Sequence, residues 1–264
     1  MNKDTLRQIA VISATTMTLI VNGLANALPI NGNTTGDISD SFPVYFVPAA
    51  YVFSIWGLIY LLLIAFTVYQ ALPAQKTDPR LRRIGWLYVL SGIANSAWIF
   101  LWHYEQFPLT MAAMLALLGL LIAIYLRLGI GRARFNGWAR WLLALPFSVY
   151  LGWITVATIA NATVLLYDLG WRGAPLTGPL WAAILLAVGA VITLIVALTR
   201  SDAAYALVIV WAFVGVALRF PDTPVVATTA WVAAGIAAGA AVSALLPRGP
   251  RRQNNPGEPA TAQG

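Results

Sequence analysis

The sequence has no cysteine and a single histidine, His103. The lack of cysteine excludes disulfides, thiolate metal sites and cysteine nucleophiles. With one histidine, the chain cannot hold a haem between two of its own histidines or build a histidine-clustered metal site. His103 stands at the end of an apolar run, in the motif WHYE, and we interpret it as an interfacial residue rather than an axial haem ligand.

Charged residues are also scarce, at 9% of the chain against about 25% in a typical soluble domain. Hydrophobic residues make up 60%, which predicts an all-α integral membrane protein. Eight apolar runs approach the length of a membrane-spanning helix, and the seventh is short. They are residues 9–30, 50–72, 84–104, 109–126, 142–167, 180–199, 203–218 and 225–246.

The middle of every predicted span lacks Asp, Glu and Lys. Because charged residues inside a bilayer usually mark proton relays or ion pathways, this argues against a carboxylate relay or a carboxylate sodium site. The sequence also contains no glycine-rich phosphate loop and no nucleophile elbow. We therefore predict no catalytic residue and no metal site, and we favour a protein that is not an enzyme.

The net charge of +7 is distributed unevenly between the predicted loops. Fourteen of the basic residues fall in one alternating set of loops and termini, and only Arg172 and Arg219 fall in the other set. This is the positive-inside pattern of membrane proteins, so the charge records topology and predicts no nucleic-acid partner. We expect a multi-pass protein of a bacterial-type cytoplasmic (inner) membrane, with both termini in the cytoplasm.

The chain divides by composition into two membrane units and a tail. Residues 1–170 hold five aromatic-rich spans, and residues 171–247 hold three spans of mostly Ala, Val, Leu and Gly. Residues 248–264 are polar and contain prolines, which predicts a disordered cytoplasmic tail. The first span contains ANA at 25–27 and so has some features of a signal peptide, but its threonines and asparagines favour a retained helix.

The last span carries Gly235 and Gly239 four residues apart. Small residues at this spacing allow two helices to approach closely. We interpret them as packing against helices of the same chain, in preference to a contact in a homodimer.

Aromatic and amide side chains recur at helical spacings in four of the first five spans, so each set shares one helix face. A buried amide in lipid needs a partner, so we expect these faces to point into the bundle. They could be contacts between helices, but four such faces together favour a pocket for a small molecule. The four sets are Thr15, Thr18, Asn22 and Asn26; Phe53, Trp56 and Tyr60; Ser91, Asn95, Trp98 and Trp102; and Tyr150, Trp153, Ala157 and Asn161.

Three of these segments resemble motifs of the tryptophan-rich sensory protein family, the TspO/MBR group to which the mitochondrial translocator protein belongs. PAAYVFSIWGLIY at 48–60 is similar to the start of its second helix, and ANSAWIFLW at 94–102 to its third helix. LPFSVYLGWITVATIAN at 145–161 is similar to its fifth helix and is the most specific match. The resemblance covers about 160 residues, with the last three helices as a C-terminal extension.

The resemblance implies a five-helix bundle, often dimeric, whose pocket binds porphyrins, haem or other flat hydrophobic molecules such as sterols. No cofactor is required, and a tetrapyrrole is a possible ligand. The loop 31–49 would cover the pocket. Together with the aromatic faces, the resemblance gives ten candidate ligand-binding residues: Tyr51, Phe53, Trp56, Tyr60, Asn95, Trp98, Tyr150, Trp153, Ala157 and Asn161.

Three functions remain open on the sequence. The first is a membrane protein that binds a planar hydrophobic molecule for sensing, sequestration or transfer. The second is a multi-pass transporter of a neutral or weakly polar metabolite. In the third, the last three helices bind a partner protein and the bundle is structural.

Overall fold

The computed structural model describes residues 2–28, 30–133, 135 and 137–246, and the predicted tail at 248–264 lies outside these residues. The described part of the chain is all-α, as predicted. It forms nine α-helices: α1 Lys3–Ala27, α2 Thr35–Asp40, α3 Ile55–Ala71, α4 Pro79–His103, α5 Phe107–Leu128, α6 Leu145–Asp168, α7 Gly178–Arg200, α8 Ala203–Arg219 and α9 Pro224–Leu245. A 3-10 turn, Ala50–Ser54, leads into α3, and a π-helical turn, Arg140–Ala144, leads into α6.

Seven helices are long and apolar enough to cross a membrane, and α8, with 17 residues, is the short one. Contacts at its two ends show how far α8 reaches. Asp202, just before it, accepts a hydrogen bond from the hydroxyl of Tyr125 near the end of α5, at 2.8 Å. Arg219, its last residue, bonds Asp40 of α2 at 2.6 Å. α8 therefore runs from one end of the bundle to the other, and its role as an eighth membrane span stays a prediction.

The helix connections gather at two ends of the bundle. At the basic end, Arg82 of α4 bonds Asp4 of α1 at 2.6 Å, and Gly131 lies against Arg200 at the end of α7. The other end, which we call the loop end, carries the segment 28–54 and the α4–α5, α6–α7 and α8–α9 connections. There the indole of Trp102 donates to the carbonyl of Thr35 at 3.2 Å. The basic loops of the sequence thus share one end.

The first helix begins at Lys3, earlier than the apolar run suggests, because Asn2 caps it by accepting from the N–H of Asp4 at 3.1 Å. As a result Arg7, which the sequence places before the span, is 3% exposed. Its guanidinium donates to the carbonyl of Lys76 at 2.9 Å. Gly85 makes room for it, since a Cβ at that position would lie 2.6 Å from Arg7 Cγ.

The last three helices pack onto the first unit through α8. The backbone N–H of Ala49 donates to the carbonyl of Gly215, and the indole of Trp211 donates to the carbonyl of Val52, both at 3.1 Å. Arg219 also donates to the carbonyl of Pro48 at 3.3 Å. The segment before α3 is therefore held in place by α8.

The glycines of α9 do not pack as we predicted. Gly235 and Gly239 are exposed, and a Cβ at either would meet nothing within 4 Å. Ala233, Ala234 and Ala237 are among the seven residues that α9 buries, and six of the seven are alanines, because the helix is rotated to turn its alanines inward. The prediction that these glycines pack against helices of the same chain is therefore wrong.

Candidate ligand-binding site

Buried amides join three helices at the centre of the first unit. Asn22 of α1 donates to the amide oxygen of Asn95 on α4 at 2.7 Å, and Asn95 donates to the hydroxyl of Tyr150 on α6 at 3.0 Å. Asn22 and Asn95 are 1% and 0% exposed. Three of the four asparagines expected to face inward do so. The fourth, Asn26, is exposed and donates to the carbonyl of Asn22 one turn earlier.

Aromatic rings pack beside this network in one stacked pair and two edge-to-face pairs. Trp56 stacks on Tyr60 one turn further along α3, with ring centroids 5.6 Å apart. The edge of Trp153 meets Phe53 at 5.9 Å and Trp56 at 6.1 Å, with interplanar angles of 82° and 83°. Such edge-to-face pairs suit the charge distribution of aromatic rings and fix their orientation.

A second group of rings lies across from the first. Trp98 stacks on Trp102 at 5.4 Å and donates its indole N–H to the amide oxygen of Asn161 at 2.8 Å. Asn161 in turn donates to the hydroxyl of Thr110 at 3.1 Å. The side-chain amide of Asn161 therefore orients Trp98, and its oxygen keeps one lone pair free.

Between the two groups lies a cavity of about 50 Å³, which we call the inner cavity. Its walls come from α4, α6, the start of α3 and the segment that precedes it. They are Thr35, Ser39, Val47, Pro48, Phe53, Trp56, Trp98, Trp102, Trp153, Val156, Ala157, Ala160, Asn161 and Val164. Small-molecule pockets usually measure about 300–1,000 Å³, so the inner cavity is small in this conformation.

One residue that lines the inner cavity, Trp153, has a buried polar group without a partner in the described part of the chain. The Trp153 residue is only 3% exposed, and its buried indole N–H makes no hydrogen bond to any described residue. Leaving a buried donor unsatisfied costs about 1–3 kcal/mol. The indoles of Trp98 and Trp102 differ, since both donate to protein oxygens.

A larger cavity of about 270 Å³ lies on the other side of Phe53 and Trp56, and we call it the outer cavity. It is more polar, and it is bounded by α1, α2 and α3. It is lined by Asn22, Asn26, Thr34, Thr35, Gly36, Asp40, Ala50, Phe53, Trp56, Tyr60 and Ile99. Thr35, Phe53 and Trp56 line both spaces, so the rings of Phe53 and Trp56 lie between the two cavities.

The structure brings together six of the ten candidate residues around the inner cavity. Tyr60 lines the outer cavity instead, and two residues, Asn95 and Tyr150, lie behind the wall, where their polar groups bond each other. Tyr51 is elsewhere: it is 42% exposed and its ring meets Trp211 of α8 at 5.0 Å. Residues two positions apart in the 3-10 turn point in different directions, so Tyr51 faces α8 while Phe53 faces the inner cavity.

Sequence reasoning missed part of the cover over the site. α2 is fixed by a capping box, in which Thr34 Oγ1 accepts from the N–H of Asp37 at 3.2 Å, and Asp37 accepts from the N–H of Thr34 at 2.8 Å. The hydroxyl of Thr34 also donates to Asp37 Oδ2 at 2.7 Å, and this hydrogen bond, together with that from the Thr34 N–H, lowers the pKa of Asp37. A Thr followed three residues later by an acidic residue is a signature that the sequence does contain.

His103 also contacts α2, which is part of this cover. It is fully buried, with Nδ1 at 2.7 Å from the carbonyl oxygen of Ile99 and Nε2 at 3.5 Å from the hydroxyl of Thr35. Its position is therefore inside the protein, which corrects the interfacial interpretation. The apolar run ends there, but the segment 28–54 folds over it. In the described residues no group of three or more His, Cys, Asp or Glu could hold a metal ion.

A third space was not indicated by the aromatic faces. An apolar cleft of about 510 Å³ separates the C-terminal half of α6 from the start of α7, with Tyr45 and Phe46 along it. At its mouth Trp171 packs on Trp181, with ring centroids 5.0 Å apart. The sequence indicated only a boundary between two units at residues 170–171. The periodicity of a single helix does not show that α6 and α7 leave a cleft between them.

Comparison with known proteins agrees with this architecture. A family model described as TSPO-like protein matches residues 8–243, which spans α1 to α9 and includes the last three helices. No curated protein matches the chain, and no solved structure does. The resemblance inferred from the three motifs is confirmed. The chain belongs to the TSPO-like protein family, as an all-α, multi-pass membrane protein of the TspO type.

Proposed function

We propose that this protein binds a planar hydrophobic molecule between its two tryptophan groups, for sensing, sequestration or transfer. The observation that carries the proposal is the buried indole N–H of Trp153, which has no partner among the described residues. A ligand that carries a hydrogen-bond acceptor, such as a carbonyl or carboxylate, would satisfy it. The faces of Trp56 and Trp98 would then bury the flat part of the ligand, and Asn161 would accept from its polar edge.

Binding at this site requires a rearrangement, because the inner cavity measures only about 50 Å³. Rotation of Phe53 and Trp56 would join it to the outer cavity of about 270 Å³. The joined space reaches the lower end of the range for small-molecule pockets. The polar outer part would hold the hydrophilic edge of an amphipathic ligand, and Asn22 and Thr35 supply groups for it.

The first ligand to test is a tetrapyrrole such as protoporphyrin, which the family resemblance suggests; sterols come second. We would titrate the detergent-purified protein and follow quenching of tryptophan fluorescence. Trp153→Phe removes the N–H and keeps a ring, and Trp86→Phe is the matched control because Trp86 is 52% exposed at a span end. We expect saturable quenching in the wild type and a dissociation constant raised roughly five- to tenfold by Trp153→Phe alone.

Equal affinities for the two variants would show that the pocket has been placed wrongly. Saturable quenching by a sterol but not by protoporphyrin would keep the site and change the ligand class.

Transport of a small metabolite is the second candidate, and the interior favours it less. Below the amide network, toward the basic end, Phe66 packs on Tyr88 and Phe147 with ring centroids 4.9 Å and 5.0 Å apart. All three rings are buried. A path through the bundle would have to open this layer, whereas a binding site reached from the loop end would not. Saturable flux of a metabolite into vesicles would reverse this preference.

Orientation and assembly complete the proposal. We infer that the basic end faces the cytoplasm of a bacterial-type inner membrane, since basic loops are retained on that side. Cytoplasmic and periplasmic reporter fusions after residue 246 would test this. A homodimer is also proposed, through the outward-facing Gly235 and Gly239 of α9. Replacing both glycines by leucine should then convert the dimer to a monomer in light scattering.

A further inference from the structure

A cleft of about 540 Å³ opens at the basic end of the bundle, where the α5–α6 and α7–α8 connections meet. It is remote from the inner and outer cavities, which lie toward the loop end. Arg140, Arg200, Ser148 and Trp141 are part of its lining. Its volume lies within the range of small-molecule sites, about 300–1,000 Å³.

The two guanidinium groups of the cleft are not neutralised. Among the described residues neither Arg140 nor Arg200 forms an ion pair with a carboxylate. One carboxylate, Asp202, lines the cleft, but its oxygens are already engaged. They accept from the N–H of Tyr205 at 3.1 Å and from the hydroxyl of Tyr125 at 2.8 Å. The cleft therefore carries an excess of positive charge with free N–H donors.

Ser148 supplies a buried hydroxyl beside these charges. It is 2% exposed and lines the cleft, and its hydroxyl makes no hydrogen bond to any residue that the structure describes. The threonines further along α6 behave differently. Thr155 and Thr158 donate to carbonyl groups one turn earlier in the helix, at 2.8 Å and 2.6 Å. The hydroxyl of Ser148 is thus available to a molecule in the cleft.

The backbone of α6 is distorted where it borders the cleft. The N–H of Leu145 donates to the carbonyl of Arg140, five residues earlier, which makes the turn Arg140–Ala144 π-helical. Such turns are rare and often lie at functional sites. This one places Arg140 and Trp141 at the rim, in the turn that precedes Ser148.

We propose that this cleft binds a phosphate-bearing group, and its position favours a phospholipid headgroup. Phosphate oxygens match the donors of two guanidinium groups and a hydroxyl. Basic pockets between membrane helices bind anionic headgroups at the membrane surface. Trp138 and Trp141 are 75% and 56% exposed near the rim, as is usual for side chains at the lipid–water interface.

The test uses the full-length protein in detergent and three probes: dioctanoyl phosphatidate, dioctanoylglycerol, which has the same chains without the phosphate, and inorganic phosphate. Binding is measured by microscale thermophoresis. We expect saturable binding of phosphatidate and none of dioctanoylglycerol. If inorganic phosphate competes at similar concentrations, the site takes soluble phosphate; if it does not, the lipid is the ligand. Failure of both phosphate probes to saturate overturns the proposal.

Variants locate the site. Arg140→Gln should weaken phosphatidate binding roughly tenfold, and Ser148→Ala roughly fivefold. Arg132→Gln is the matched control, because Arg132 is exposed in the same connection but does not line the cleft. Melting temperatures without ligand show whether each variant is folded. If Arg132→Gln weakens binding as much as Arg140→Gln, only general surface charge is involved and the proposal fails.

Discussion

Replacing Gly215 with alanine tests whether α8 holds the segment that covers the inner cavity. A Cβ at this position would lie 2.2 Å from Val52 Cγ2 and 3.1 Å from Pro48 Cβ. Non-bonded carbons pack at about 3.5–4.0 Å, so Val52 would have to move by more than about 1 Å. Val52 is fully buried and its carbonyl accepts from Trp211, so it has no free space to enter.

The expected size of the effect follows from two opposing contributions. Overpacking of a core costs about 1–3 kcal/mol. Removing a glycine from a helix interior stabilises by about 0.5–1 kcal/mol. Gly119→Ala in α5 isolates the second contribution, because a Cβ at Gly119 would meet nothing within 4 Å. Gly215→Ala should therefore unfold at lower temperature than Gly119→Ala, by a difference of about 1–3 kcal/mol in stability, or several degrees.

Two measurements are needed, since the strain can be relieved by displacing the cover instead of lowering stability. Thermal unfolding in detergent gives the stability, and hydrogen exchange gives the protection of backbone amides in residues 43–54. We expect faster exchange in this segment in Gly215→Ala only, with Ala49 most affected because its N–H donates to Gly215. Equal melting temperatures and unchanged exchange in both glycine variants would refute the reasoning.

Two further predictions concern the site and its cover. Asn95→Ala should destabilise the protein by about 1–3 kcal/mol in thermal unfolding, because Asn22 and Tyr150 both lose a buried partner. Ser96→Ala is its control, because the hydroxyl of Ser96 is buried with no partner among the described residues, and it should cost less. Acid should destabilise the start of α2. The pKa of Asp37 is lower in the folded protein than in the unfolded chain, so the Asp37 carboxylate stabilises the fold above about pH 3.9. This stabilisation is lost as the pH falls through the lowered pKa of the folded state. The protection factor of the Thr34 amide, which compares its exchange rate with the unstructured rate at the same pH, should then fall in wild type on acidification and should be low at all pH values in Asp37→Asn if the cap depends on the charge.

Periodicity was a good guide where a helix is regular. Trp98, Trp153 and Asn161 repeat at helical spacing within α4 and α6, and they face one cavity. Tyr51 was a candidate from the family motif and belonged to none of the helical faces, and it lies in the 3-10 turn before α3 with its ring against Trp211 of α8.

Other positions depended on tertiary structure that a single sequence does not contain. Asn95 shares a face with Trp98, but its amide groups bond Asn22 and Tyr150, so it forms the wall behind the site. Trp102 and His103 stand at the end of α4, and only the folding of segment 28–54 over them makes them interior. The spacing of Gly235 and Gly239 places both residues on one face of α9. It does not show whether that face points into the bundle or outward, because this depends on how α9 is rotated against its neighbours.

The segment that covers the inner cavity is fastened on both of its sides. Toward α4, the carbonyl of Thr35 accepts from Trp102, and Asn31 donates to the carbonyl of His103 at 3.0 Å. Toward α8, Ala49 and Asp40 are held as described above. A cover without a free edge cannot swing on a hinge, so any displacement of the cover that accompanies the rotation of Phe53 and Trp56 during ligand exchange would be a local unfolding event. Release rates should then rise steeply with temperature and with mild denaturant, and residence time would be a property of the fold as much as of the pocket.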